Sequence, residues 1–240
     1  MTDQSGDYTG DVTVGGGADV RELGDLTITK VAVDEKMSNN CYLLRCKHTG
    51  DQVLIDAADS AETLLPLIGE AGLSAVVTTH QHWDHHRALA DVVAATGAEV
   101  IAGAPDAAAI TEQTGVPVTR TVGDGDTVQV GDCTLDVIAI AGHTPGSVAL
   151  VYRDPHVADS DGGGGDTVVS RHLFTGDTLF PGGVGGTFGD DAAFTQLIDD
   201  VEHKVFGTLP DDTWFYPGHG GDSTLGAQRG SLTEWRERGW

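Results

Sequence analysis

The stretch His80-Gln81-His82-Trp83-Asp84-His85-His86 constrains this chain more than any other. Four side chains that bind divalent transition metals, His80, His82, Asp84 and His85, fall within six residues in the pattern H-x-H-x-D-H. The run in front of them, Leu73 to Thr79, is short, apolar and β-branched and reads as a buried strand. Behind them, Asp84 can cap a helix through Arg87, Ala88, Leu89, Val92 and Val93, which recur at helical spacing. The cluster therefore sits where a strand hands over to a helix. His80 and His82 share a direction because strand side chains alternate with period two. Asp84 and His85 follow where the backbone turns, and can face a second point close by. One metal centre rarely needs four ligands this close in sequence, whereas two adjacent centres do.

At 240 residues the chain has ample length to bury a core. Its net charge is −24, from 37 acidic against 13 basic residues. Charge of that sign repels nucleic acid and anionic membrane, so neither is an expected partner. It also makes the folded state repel itself at low ionic strength, an effect that fades at molar salt, where the Debye length is about 3 Å. The composition resembles that of halophilic proteins. Cys41, Cys46 and Cys133 form no C-x-x-C and read as buried free thiols. No signal peptide and no membrane-spanning stretch is recognisable, so a cytoplasmic location is expected.

Residues 1–24 are rich in Asp, Gly, Thr and Ser and read as a mobile acidic tail, leaving 25–240 as a single domain. Leu26 to Val33, Asn40 to Cys46 and Val53 to Asp56 read as consecutive strands. Asp56 ends an apolar run, where it either starts a turn or hydrogen-bonds a ligand imidazole from behind. A helix over Ala61 to Glu70, a strand at Glu99 to Ile101 and an Ala-rich helix from Pro105 continue a β-α-β-α alternation. Val128 to Val130 and Cys133 to Ile140 form a hairpin about Gly131-Asp132, and Ser147 to Tyr152 and Val168 to Phe174 follow as strands. Asp159 to Asp166 reads as a solvent loop. A helix over Asp191 to Phe206, a strand at Trp214 to Tyr216 and a short terminal helix finish the chain. Two runs of strands, each followed by helices, predict two sheets face to face with helices outside.

Three more strand ends present a ligand each. Ile140 leads into Ala141-Gly142-His143-Thr144-Pro145-Gly146-Ser147, Phe174 into Thr175-Gly176-Asp177-Thr178, and Tyr216 into Pro217-Gly218-His219-Gly220. The sum, five His and two Asp, suits two borderline-soft ions with one carboxylate free to bridge. His48, His86, His156, His172 and His203 lack that context and read as surface or packing residues.

H-Q-H-W-D-H, G-H-T-P-G-S, T-G-D-T-L-F and P-G-H-G, in this order, resemble the metallo-β-lactamase superfamily, most closely its type II glyoxalases. The resemblance covers roughly residues 26–240 and implies an αββα sandwich with two divalent ions at one edge, zinc expected and iron or manganese the alternatives. It assigns His80, His82 and His143 to one ion, Asp84, His85 and His219 to the other, Asp177 to the bridge and Asp56 to the layer behind. The implied activity is hydrolysis of a small hydroxyacyl thioester by a metal-bound bridging hydroxide that Asp84 and Asp177 orient. The alternative is a persulfide dioxygenase with one iron on His80, His143 and Asp177; a nuclease or lactonase ranks lower. Where β-lactamases of the family carry a cysteine, this chain has Asp177. Where long glyoxalases carry a Lys or Arg and a Tyr to hold glutathione, it has Gly186 and Phe188, and it stops 21 residues after His219 rather than continuing into a helical domain. Oligomeric state is not legible.

Overall fold

In the strands Gln52–Ile55 and Ala75–Thr78 every residue is buried, as a sheet covered on both faces requires. The period of two then sorts their side chains between two cores. Val53, Ile55, Ala75 and Val77 face one, Leu54 and Val76 the other.

The computed structural model describes residues 8–155 and 170–239. Seven strands form the first sheet in sequence order: β1 (Asp19–Glu22), β2 (Leu26–Val33), β3 (Asn39–Cys46), β4 (Gln52–Ile55), β5 (Ala75–Thr78), β6 (Glu99–Gly103) and β7 (Arg120–Val122). Pairing is antiparallel from β1 to β4 and parallel from β4 to β7. The second sheet is built from β8 (Thr127–Val130), β9 (Cys133–Ala139), β10 (Val148–Asp154), β11 (Ser170–Gly176), β14 (Trp214–Pro217) and β15 (Ser223–Thr224), ordered β15-β14-β11-β10-β9-β8. Between β11 and β14 in the chain, a small separate ribbon pairs β12 (Leu179–Phe180) with β13 (Gly183–Val184).

The sheets pack on each other through Leu26, Ile28, Tyr42, Leu44, Leu150, Phe174 and Tyr216, among others. Helices α1 (Ala61–Ile68), α2 (Leu89–Thr96) and α3 (Ala107–Thr114) cover the outer face of the first sheet, burying Leu64, Ile68, Leu89, Val92 and Ile110. α4 (Asp191–Asp200), its π-helical continuation Val201–Phe206, α5 (Leu225–Arg229) and α6 (Leu232–Arg238) cover the second through Leu197, Val201, Val205, Leu225 and Trp235. The order of layers is helix, sheet, sheet, helix, as the motifs imply.

Three expectations need correction. Residues 19–22, assigned to the tail, form β1 on the edge of the first sheet, where backbone pairing to Thr27–Lys30 needs no apolar pattern. Tyr8 and Gly10 are also engaged. Lys30, fully buried, donates to the Gly10 and Gly220 carbonyls and pairs with buried Asp222 at 2.6 Å, while the Tyr8 hydroxyl donates to the same Asp222. Removing one member of such a buried pair strands the other's charge, at a cost of about 3–5 kcal/mol. Second, Asp84 caps no helix: it lies in a 3₁₀ turn, Trp83–His85, and α2 begins only at Leu89 with Ala88 before it. Third, the helix expected through Phe206 leaves α-geometry at Val201. Residues 1–7, the Asp159–Asp166 loop and His156 lie outside the described residues.

Candidate metal centre

The C-terminal ends of β4 and β5 in one sheet, and of β9, β11 and β14 in the other, meet at a single edge of the sandwich. Each delivers polar side chains there: β4 Asp56, β5 the histidine cluster, β9 His143, β11 Asp177 and β14 His219. The start of β3 closes the edge. Asn39 bridges to His219, and the amides of Asn40 reach the carbonyls of Gly218, Pro217 and Gly220.

All seven ligand candidates converge. His80 Nε2, His82 Nδ1 and His143 Nε2 form a triangle with sides of 3.1, 2.9 and 3.3 Å. A tetrahedral ion with bonds of about 2.0–2.1 Å holds its donors about 3.3 Å apart. Beside that triangle His85 Nε2, His219 Nε2 and Asp84 Oδ2 are separated by 3.3, 3.4 and 3.6 Å. Asp177 stands between the sets, with Oδ1 3.3 Å from His85 Nε2 and Oδ2 3.3 Å from His219 Nε2 and 3.8 Å from His143 Nε2. β5 ends at Thr78, so strand alternation is not what aims His80 and His82; they leave a bend and present different ring nitrogens.

The layer behind decides which nitrogen each ring offers. His143 Nδ1 donates to the Gly186 carbonyl at 2.8 Å, and His219 Nδ1 to the Met37 carbonyl at 2.9 Å. His85 Nδ1 donates to Asp56 Oδ2 at 2.8 Å. The Thr79 hydroxyl donates to that same oxygen and so can accept from His80 Nδ1 at 3.1 Å. With their Nδ1 protons engaged outward, the four rings aim Nε2 at one another; His80 and His143 offer lone pairs there, and His85 and His219 would do so once a cation displaced their second proton. Asp177 Oδ1 is buried there, 3.3 Å from His85 Nε2 and with no well-aligned hydrogen bond. Donor types, spacing and orphaned oxygen all fit divalent metal ions.

Electrostatics agree. Burial pushes the imidazoles of His80 and His143 down, and the neighbouring histidines add to it. His219 goes the other way, up to about 9, because hydrogen bonds to Asp177 and Asp84 outweigh burial. Asp177 falls well below the carboxylate range: the charge of His85 and hydrogen bonds from His219 and His85 overcome its burial. The centre thus favours ionised carboxylates beside unprotonated first-set imidazoles, as a cation site must.

Local backbone is fitted to the site. Asp56 sits at φ 59°, a left-handed conformation rare outside glycine, which turns its carboxylate back to accept the Thr79 amide at 2.7 Å. A Cβ on Gly218 would fall on Asp177 Oδ1 and His85, and one on Gly185 on the Asp177 carbonyl. Asn39 Nδ2 holds Asp84 at 3.0 Å through both its carboxylate and its carbonyl. Sequence reading missed Asn39, Thr79 and Asp106; for Asp106 the available signal is a carboxylate following Gly103-Ala104-Pro105 at the end of a parallel strand. His48 and His203 are exposed and His86 and His172 buried, all outside the cluster.

The model of the Metallo-beta-lactamase superfamily matches residues 35–219. Over 199 residues the chain is 32% identical to a hydroxyacylglutathione hydrolase of Rhodospirillum rubrum, covering 82% of this chain and 67% of that one. Over 191 residues it is 30% identical to the mitochondrial persulfide dioxygenase ETHE1 of Mus musculus, covering 78% and 65%. Among solved structures, ETHE1 from Myxococcus xanthus superposes with a TM-score of 0.70 at 26% identity, over 88% of this chain and 84% of that one. TTHA1623 in a di-iron-bound form gives 0.60 at 29% identity, over 83% and 96%. The chain spans about two thirds of the length of the curated relatives it matches.

Proposed function

The chain belongs to the metallo-β-lactamase superfamily, and from that premise we propose that it is a metal-dependent hydrolase of small hydroxyacyl thioesters, of glyoxalase II type. The observation that carries this reading is the second ligand set: Asp84 Oδ2 lies within 3.6 Å of both His85 Nε2 and His219 Nε2. A mononuclear centre on His80, His143 and Asp177 would leave that set without purpose. In this reading His80, His82 and His143 hold one ion, Asp84, His85 and His219 the other, and Asp177 serves both. When bound, the ions lower the pKa of water to about 7 and stabilise the oxyanion of the attacked carbonyl.

The chain's own residues supply the rest. Asp177 Oδ1, buried with no well-aligned hydrogen bond of its own, would accept a hydrogen bond from the attacking water and orient it, with Asp84 on the other side. Asn39 fixes the Asp84 carboxylate, and Asp56 fixes His85 directly and His80 through Thr79. No Ser or Cys nucleophile is required. Phe188, 84% exposed, sets its ring 5.7 Å from that of His82 at the mouth, and Gly186 holds His143 through its carbonyl. Neither offers a cation, so glutathione is gripped weakly and smaller thiol carriers are accepted.

Borderline nitrogen and carboxylate donors favour zinc, with iron or manganese the alternatives. A charge of −24 argues for a small-molecule substrate and against nucleic acid, and with it against nuclease activity. Among the described residues no helix is long and apolar enough to cross a membrane, and we place the chain in the cytoplasm.

Asp84→Ala tests the assignment. One preparation is assayed for metal content, thioester hydrolysis and persulfide-dependent oxygen consumption. The hydrolase reading expects two ions in the wild type, and in the variant a weakened second site with at least about 10²-fold slower hydrolysis. One iron, with oxygen consumption that survives the substitution, would establish the dioxygenase instead.

A further inference from the structure

Asp106 stands after β6 and immediately before α3, where an aspartate ordinarily caps the helix with its side chain. Here it does not: no amide of α3 donates to its carboxylate. The side chain is fully buried and spends its oxygens elsewhere. Oδ2 accepts the Gln81 amide at 2.9 Å and the Thr144 hydroxyl at 2.5 Å, and Oδ1 accepts the Gly146 amide at 2.7 Å. Gln81 lies between His80 and His82, and Thr144 follows His143. All three donors therefore belong to the two loops that carry the three-histidine set.

The join is tight on both sides. The Thr144 hydroxyl, committed as a donor to Asp106, accepts from Ser147 Oγ at 2.6 Å, and that oxygen in turn accepts the Thr144 amide at 3.2 Å. A Cβ on Gly146 would lie 2.8 Å from Asp106 Cγ, and one on Gly103 would fall on the Gly146 carbonyl. The other ligand set hangs on different partners: Asn39 on Asp84, Asp56 on His85 and the Met37 carbonyl on His219.

We propose that Asp106 is a positioning residue that fixes the separation of His82 from His143, and through it sets the metal affinity of the three-histidine set alone. The proposal rests on the two-ion reading above. A carboxylate is needed because every partner donates. Asparagine has one accepting oxygen: placed at Oδ2 it keeps Gln81 and Thr144 but turns its amide hydrogens on the Gly146 N–H, and placed at Oδ1 it keeps Gly146 but turns them on the Gln81 N–H.

The test is a metal titration of the full chain with Zn(II), and separately with Co(II), against a competing chelator. Asp106→Ala, Asp106→Asn and Thr144→Val are each made in the wild type and in His219→Ala, where the remaining ion reports the three-histidine set. Asp106→Ala should weaken that set by about 10–100-fold, the scale for losing a group that orients a ligand. Asp106→Asn should weaken it as well, despite keeping the volume. Thr144→Val, which removes one donor, should weaken it less and in the same set. The Co(II) visible spectrum of that set should shift while affinity at Asp84, His85 and His219 stays at the wild-type value; a mere loss of stability would move neither selectively. If Asp106→Ala does not fold, the Asn and Val variants decide alone. Native affinity in these variants, or equal weakening of both sets, overturns the proposal while a two-ion wild type stands. A wild type that takes up no ion overturns the two-ion reading and this proposal together.

Discussion

Asp56→Asn is the substitution that asks most of the layer behind the ligands. Position 56 has φ 59°, a conformation that asparagine tolerates better than almost any other non-glycine residue, so the backbone is little disturbed. The amide oxygen must face the Thr79 N–H, now 2.7 Å from Oδ1, because that donor cannot reverse. The NH₂ group then faces the Thr79 hydroxyl and His85 Nδ1, both of which donate to Oδ2 at 2.8 Å. Each must turn round. His85 surrenders its Nδ1 proton and carries one on Nε2, where the lone pair was. The Thr79 hydroxyl turns to donate to His80 Nδ1, 3.1 Å away, which moves the proton of His80 to Nε2 as well. One atom exchange thus blocks a nitrogen in each ligand set. Losing an orienting partner costs about 10–100-fold in affinity per ion, or about 1.4–2.7 kcal/mol. Chelator competition measures the affinities, and nitrogen-15 NMR of the rings reports the tautomer. Two ions held at native affinity, or His85 still protonated at Nδ1, would refute the reasoning.

Removing metal should destabilise the fold, since ions that bind only the folded chain stabilise it by about 4 kcal/mol each at a thousandfold excess over Kd; a melting temperature unmoved by chelator in calorimetry would contradict this. Unfolding temperature should also rise steeply from low salt to molar KCl, because the net charge of −24 is then screened; a flat response would mean the acidic surface is no adaptation to salt. His172 makes a pH prediction: burial and the Arg21 charge hold it down to about 4, and its Nδ1 lies 2.8 Å from the Tyr216 hydroxyl. Its folded value lies below the unfolded value of about 6.5, so its contribution is complete above that pH and is lost as pH falls toward 4. The stability gap between wild type and His172→Gln, read from urea melts, should shrink by up to about 3 kcal/mol over that window; a constant gap would show that the ring does not titrate there.

The candidate ligands that the structure brings together could be picked out because each follows an apolar strand at a glycine or a sharp turn, a local pattern that survives without coordinates. Their supports were not. Asn39 acts on Asp84 from 45 residues away and Asp106 on Gln81 from 25, and such pairings exist only once the sheets have docked. Asp84 misled because an aspartate before a helical period signals a cap, yet its carboxylate is taken by Asn39 and by the centre. β1 was invisible because Asp-Val-Arg-Glu carries one apolar side chain, and an edge strand is held by its backbone. Lys30 interrupts an apolar strand with a charge whose partner, Asp222, lies 192 residues on.

The division of the candidate ligands between the two sheets has a consequence for assembly. His80, His82, Asp84 and His85 come from the half of the chain that builds the first sheet, and His143, Asp177 and His219 from the half that builds the second. Neither candidate set is complete within one half: each takes two donors from the first and one from the second. An ion at either position would act as a rivet through the seam, strengthening as the halves come into register and weakening as they part. Chains separated between β7 and β8 would then recombine more tightly with metal than without it, and the measured ion affinity would be a gauge of how firmly the sandwich is closed.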